Sequence, residues 1–229
     1  YKPLLKEMKN DSRFSLDIIA FGMHLLDVHG KTINEIKKDS FSKIIEIKGM
    51  SEKDDQTDIV NSYGNLILNF SKFWNNNIYD LVFCLGDRFE MSAAVQSGIP
   101  YEIKFVHFHG GEISEGSIDN IYRNQISLAA KLHFVASILN KKQLIKLLGN
   151  DNNIFDVGSL SLSELDSILI PKWKDVCKEF KIQNKSFVLV TFHPETVGLN
   201  ENKNYIKIIR NVLMELSNHI HIIITQSNA

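Results

Sequence analysis

Cysteine and arginine are scarce in this chain, and long apolar runs are missing. Two cysteines stand among 229 residues, Cys84 inside an apolar run and Cys177 in a stretch of helical spacing. They show no spacing of a disulfide framework or a zinc site, so the expected setting is a reducing one, the cytoplasm. No stretch approaches the roughly 18 consecutive apolar residues of a membrane span, and the opening YKPLLKEMKND reads as an amphipathic helix start, not a signal peptide. No membrane partner is expected. The 26 Lys+Arg nearly balance 27 Asp+Glu, for a net charge of −1. No global field is available to hold a nucleic acid backbone, and an anionic ligand must be bound by a few placed groups. Four of the basic residues are arginines: Arg13, Arg88, Arg123 and Arg210.

What is there is an ordinary globular composition, 44% hydrophobic and 23% charged. The length suffices for one large domain or two ordinary ones with a real core. The chain opens on Tyr1 without a methionine and stops just after a β-branched run, HIIIT, so it reads as a piece of a longer protein.

Apolar runs of strand type recur at 14–20, 42–47, 79–85, 103–107, 132–136, 153–157, 186–191 and 220–225. Several are continuously apolar, as strands buried on both faces are. Segments of helical spacing lie between them at 30–38, 55–74, 88–98, 117–130, 137–149, 174–182 and 201–218. This alternation predicts βαβ units on parallel sheets. Gly149, Gly158 and the stretch that follows break the rhythm, and a fresh strand starts at 186. The expected division is therefore a first α/β domain over 1–165 and the start of a second over 166–229.

In an open parallel sheet, ligands sit beyond the carboxyl ends of the strands, and four such loops carry reactive residues. After the first strand come Gly22, Met23 and His24, explained equally well as a turn. After YDLVFCL come Gly86, Asp87 and Arg88, where Asp87 stands at a helix N-cap position and Arg88 can reach an anionic group. A plain cap and a surface arginine explain that pair as well. FVLVT ends in Phe192, His193, Pro194, Glu195, Thr196, Val197 and Gly198, with His193 at the mouth.

The richest loop follows IKFVH. His107, His109, Glu112, Glu115, Asp119 and Arg123 fall within seventeen residues, with Gly110, Gly111 and Gly116 expected to let the loop approach a ligand. A helix from about Ser117 puts Asp119 and Arg123 four apart on one face, the spacing of an ordinary ion pair. That pair leaves the density of titratable groups unexplained. Metal ligation by His107, His109 and Glu112 is weighed and set aside, because no familiar metal spacing is present. His133, inside LHFVA, reads as a satisfied core histidine.

Taken together, AFGMHL (20–25), CLGDRFE (84–90), HFHGGEISEGSIDNIYRNQIS (107–127), LHFVAS (132–137) and LVTFHPETVG (189–198) resemble the hydrolysing UDP-N-acetylglucosamine 2-epimerases of bacterial sialic-acid-type biosynthesis. The resemblance runs over essentially the whole chain. It implies an α/β fold of two Rossmann-like doubly wound domains in the B-type glycosyltransferase architecture, the second incomplete here. It also implies a homodimer in the whole protein, a nucleotide-sugar substrate, UDP-GlcNAc, and no cofactor or metal.

The implied reaction removes the sugar's C2 proton as UDP leaves C1, then hydrates the resulting 2-acetamidoglucal to free N-acetylmannosamine. Such chemistry needs acid and base groups around the ring and cations on the diphosphate. By resemblance Asp87, Glu112, Asp119 and His193 are the catalytic residues, and Arg88, His109, Arg123 and His24 bind substrate. Some relatives carry glutamate where this chain has His109, so either His109 or Glu112 fills that acid/base position. Asn124 stands where close relatives often have histidine. The alternatives are a 2-epimerase for UDP-2,4-diacetamido-trideoxyglucose or GDP-GlcNAc, and a B-type glycosyltransferase.

Overall fold

Among the described residues eight strands alternate with helices, and every strand pairing is parallel. A computed structural model describes residues 1–53, 55–163, 165, 169–195 and 200–225 of the chain. Its contacts divide the chain into two units. Unit 1 is Tyr1–Ser114 with Asp119–Leu165, and unit 2 is Glu115–Ile118 with Asp166–Ala229.

Unit 1 opens with α1 (Lys2–Asn10), then β1 (Asp17–Phe21), α2 (Ile33–Asp39), β2 (Lys43–Ile47) and the long α3 (Gln56–Asn76). There follow β3 (Val82–Leu85), α4 (Phe89–Gly98), β4 (Phe105–Phe108), α5 (Asp119–Ala129), β5 (Ala130–Val135), α6 (Ile138–Leu148) and β6 (Ile154–Asp156). Among the described residues its strands form two ladders, β1-β2 and β3-β4-β5-β6. Side chains join them where backbone bonds do not. Ile19, Phe21, Ile45 and Ile47 share one core with Val82 and Cys84, and the Tyr79 hydroxyl donates to Asp17 at 3.0 Å.

The core is built on α3, whose N-cap Asp55 accepts from the Asp58 amide. Ser62, Leu66, Phe70 and Trp74 are buried at a spacing of four, so one stripe of the helix faces inward. Trp74 satisfies its indole N–H at the Ala94 carbonyl and Ser97 hydroxyl, 3.1 Å each, which fixes α3 against α4. Close contact is enforced at Gly98, where an added Cβ would lie 2.5 Å from the Phe105 ring. α6 is capped by Ser137 and ends on Gly149 at φ 74°, so the glycine that breaks the sequence rhythm is a helix stop.

Unit 2 contains α7 (Trp173–Glu179), β7 (Phe187–Val190), α8 (Asn202–Leu216) and β8 (His221–Ile224). Its ladder pairs Phe187–Val190 with His221–Ile224, and Trp173 stacks on Phe187 at 4.9 Å. The Glu115–Ile118 turn belongs to this unit. A Cβ on Gly116 would lie 2.8 Å from the Glu195 side chain.

Candidate active site

The carboxyl ends of β3 and β4 carry a hydrogen-bonded cluster centred on Arg123. This residue lies one turn into α5, and its side chain is 3% exposed. One guanidinium nitrogen donates to the Glu112 carbonyl at 2.7 Å and to Asn120 Oδ1 at 2.8 Å. The other donates to the Asp87 carboxylate and to Ser114 Oγ, the latter at 3.2 Å. Asn120 and the Ser114 backbone close a reciprocal pair at 2.9 and 2.6 Å. A buried guanidinium needs its charge matched and its donors filled, and the loops after β3 and β4 supply those acceptors.

Two expectations are thereby corrected. Asp87 is not a helix cap: Arg88 is the N-cap of α4 and makes no side-chain cap bond, while Asp87 turns to Arg123 and keeps 29% of its side chain exposed. Arg123 in turn pairs with Asp87, thirty-six residues away, and not with Asp119 one turn back. Asp119 is the first residue of α5 and is half-buried. Arg88 sends Nε to Glu90 at 3.2 Å, with 40% of its own side chain exposed.

The loop after β4 is held in an unusual backbone state. His109 has φ 64°, a left-handed conformation that costs a non-glycine residue energy and is often kept at functional sites. Its amide donates to the Phe134 carbonyl at 3.0 Å, and its Nδ1 meets Glu112 Oε1 at 2.6 Å. The side chains are 23% and 36% exposed, so the pair lies at the surface of unit 1. The glycines between them serve the protein itself. A Cβ on Gly110 would lie 3.0 Å from Ser127 Oγ, and one on Gly111 would lie 2.2 Å from the Asn140 carbonyl oxygen. Their lack of a side chain lets the loop lie on α5 and α6.

His107, weighed above only as a metal ligand, is fully buried with both ring nitrogens engaged. Nδ1 is 2.9 Å from Ser127 Oγ, and Nε2 is 3.0 Å from the Gly86 carbonyl oxygen. Burial lowers its pKa from 6.5 to about 4, so the ring is neutral at physiological pH. His133 pairs in register with His107 and is likewise pushed down to about 4 by burial. It is a core histidine, but its Nδ1 has no hydrogen-bond partner.

His24 sits in a short 3-10 turn, Gly22–Leu25, after β1, exposed, with Nδ1 2.7 Å from Thr32 Oγ1. Gly22 packs on Glu90, the partner of Arg88, so the first loop adjoins the start of α4. His193 follows β7 in unit 2 and is exposed. Thr196, Val197 and Gly198 lie outside the described residues. The sequence reading missed Ser114, Asn120 and Ser127. Arg123 and Ser127 are four apart on α5, so helical spacing alone places Ser127 on the face that carries the arginine.

Parallel βαβ units with polar loops at the strand ends are the architecture of Rossmann-like folds, here of the B-type glycosyltransferase kind. The crystal structure of a UDP-GlcNAc 2-epimerase from Neisseria meningitidis bound to UDP-GlcNAc shares this fold. Its TM-score is 0.78 at 15% identity, over 98% of this chain and 62% of that one. Residues 6–229 match the family described as UDP-N-acetylglucosamine 2-epimerase, and the chain belongs to that family. A hydrolysing GDP/UDP-N,N'-diacetylbacillosamine 2-epimerase of Campylobacter jejuni is 33% identical over 227 residues, covering 99% of this chain and 59% of the relative. The polysialic acid biosynthesis protein P7 of Escherichia coli is 28% identical over 226 residues, covering 99% and 58%. The chain thus spans somewhat under three-fifths of the length of these two relatives.

Proposed function

We propose that the whole protein is a hydrolysing 2-epimerase of a UDP-linked 2-acetamido sugar, with UDP-GlcNAc as substrate and N-acetylmannosamine and UDP as products. The observation that carries this is the gathering of Asp87, Glu112 and His109 at the ends of two neighbouring parallel strands, in a chain of this family. Removal of the C2 proton forms the C1–C2 double bond as the C1–O bond breaks and UDP leaves. Water then adds across the double bond, hydroxyl to C1 and proton to C2 on the opposite face. Each step moves a proton at C2, which requires a positioned acid and base.

The His109–Glu112 pair serves as one such unit. The 2.6 Å contact fixes the two groups against each other, so that each orients the other for proton transfer. Asp87 and Asp119 supply the other carboxylates. Arg88 meets the leaving diphosphate, His24 lines the sugar side, and Arg123 holds Asp87 in place, a revision of the substrate contact first expected of it. The whole protein acts as a homodimer in the cytoplasm and requires neither metal nor organic cofactor.

A second reading concerns the sugar. The Campylobacter relative is named for diacetylbacillosamine nucleotides, which favours UDP-2,4-diacetamido-trideoxyglucose over UDP-GlcNAc. Incubating the full-length protein with each nucleotide sugar in deuterated water, followed by proton NMR, tests both. Free 2-acetamido sugar inverted and deuterated at C2 is expected. Transfer of the sugar without exchange at C2 would contradict the assignment and indicate a glycosyltransferase.

A further inference from the structure

We propose that His107 is a positioning residue for Asp87, holding the peptide bond that leads into this carboxylate; the inference rests on the catalytic role assigned to Asp87 above. β4 is buried along its whole length, and its other members are Phe105, Val106 and Phe108. A parallel strand buried on both faces calls for an apolar residue at this position. A histidine here exposes the core to an unpaired polar ring unless both nitrogens are satisfied.

Both are satisfied, and in one direction only. The Gly86 carbonyl oxygen can only accept, so Nε2 carries the proton. Nδ1 is then a bare acceptor and takes the Ser127 hydroxyl. The low pKa of the ring agrees with this single neutral tautomer. Gly110 packs against the same pair of atoms, leaving no room for an alternative donor on that side.

The far end of this relay is the turn that bears Asp87. Gly86 has φ 96°, and no atom outside its chain neighbours lies within 4 Å of where its Cβ would be. No packing on the Cβ side of Gly86 holds this turn. The His107 bond anchors it from the other side, and its acceptor belongs to the peptide group whose nitrogen is that of Asp87. The other anchor of Asp87 is Arg123, one helical turn before Ser127 on α5. His107 thus ties the backbone of the β3 loop to the helix that grips the carboxylate, and a shift of about 1 Å in such a group can cost up to about a hundredfold in rate.

Two variants of the full-length protein separate this role from plain stability. In His107→Gln, the amide nitrogen occupies the place of Nε2 and can still donate to Gly86. In His107→Asn, the side chain reaches only as far as Nδ1, so Ser127 is kept and Gly86 is lost. The expected result is a kcat for Gln within about threefold of the parent, and for Asn a kcat lower by about tenfold or more with KM little changed. The backbone amide resonances of Asp87 and Arg88 should move in Asn and stay in Gln. Equal kcat in the two variants, corrected for folded fraction, would overturn the proposal. Should the parent fail to turn over either nucleotide sugar, the assigned activity falls, and the amide resonances still decide: equal displacement in both variants refutes the positioning role. If neither variant folds, Ser127→Ala takes their place. Displaced Asp87 and Arg88 amides with lowered kcat support the relay, and unchanged values of both refute it.

Discussion

β4 in unit 1 and β7 in unit 2 read alike, FVHF and FVLV, yet every residue of the first is buried and none of the second is. The helices differ in the same way. α3 buries a four-residue stripe in an aromatic core, whereas α8, with Ile206, Ile208, Val212 and Met214 about half exposed or more, buries nothing. Both strands follow the period that marks a parallel strand, so the pattern defines the element and not its surroundings. Burial comes from the partners. β4 lies between two strands and is covered by helices, while β7 has one strand partner among the described residues, and a two-stranded ladder is marginal on its own. Buried polar groups follow the same division: Arg123 and His107 are locked within unit 1, and His193 is exposed in unit 2.

The sharpest way to break this contrast is a pair of core truncations followed by urea unfolding of the chain. Phe70→Ala should cost about 3–5 kcal/mol, the usual range for a buried aromatic, and Ile208→Ala should fall within about 0.5 kcal/mol, as exposed substitutions do. Equal effects would erase the distinction between the units. Next comes Arg123→Met, which strands the Asp87 carboxylate among groups arranged for a cation. Breaking a buried pair costs about 3–5 kcal/mol, so the variant should melt markedly lower in a thermal scan.

Acid should act on unit 1 through its histidines. His107 and His133 have folded pKa values of about 4, below the unfolded value of 6.5. Between these limits the unfolded chain binds more protons than the folded one, so stability is full above pH 6.5 and falls as the pH drops towards 4. His107 alone accounts for about 3 kcal/mol at 1.36 kcal/mol per pH unit. Urea midpoints measured across this window should flatten in His107→Gln, and an unchanged slope would contradict the assignment. A smaller effect is expected from Arg88→Lys, which loses the planar fork suited to phosphate and should weaken UDP binding about tenfold by calorimetry. The smallest is Ser137→Ala, the lost cap of α6, at about 1 kcal/mol in the same urea titration.

The order and kind of the elements were legible because apolar period and glycine position are local properties. The run 55–74 and the helix Gln56–Asn76 nearly coincide, and Gly149 ends α6 as a helix stop should. Contacts between distant residues were not legible. Helical spacing points to Asp119, one turn away, as the partner of Arg123, and nothing in the sequence ties Asp87, beyond a strand, to it. The choice of Asp87 depends on how the β3 loop folds over α5. The left-handed His109 and the His107–Gly86 bond are invisible for the same reason, since a backbone carbonyl leaves no mark in a sequence. His133 misled in the opposite sense: its burial was readable, its unpartnered nitrogen was not.

The central claim is that carboxylates on the unit 1 loops move the C2 proton of a nucleotide sugar. Deuterium incorporation at C2 by Asp87→Asn in the full-length protein tests it most directly, measured by NMR beside UDP affinity and thermal stability. The account predicts exchange reduced by about a hundredfold, the usual scale for loss of a general acid or base, with UDP still bound. Exchange at the parent rate in a folded Asp87→Asn protein would contradict it.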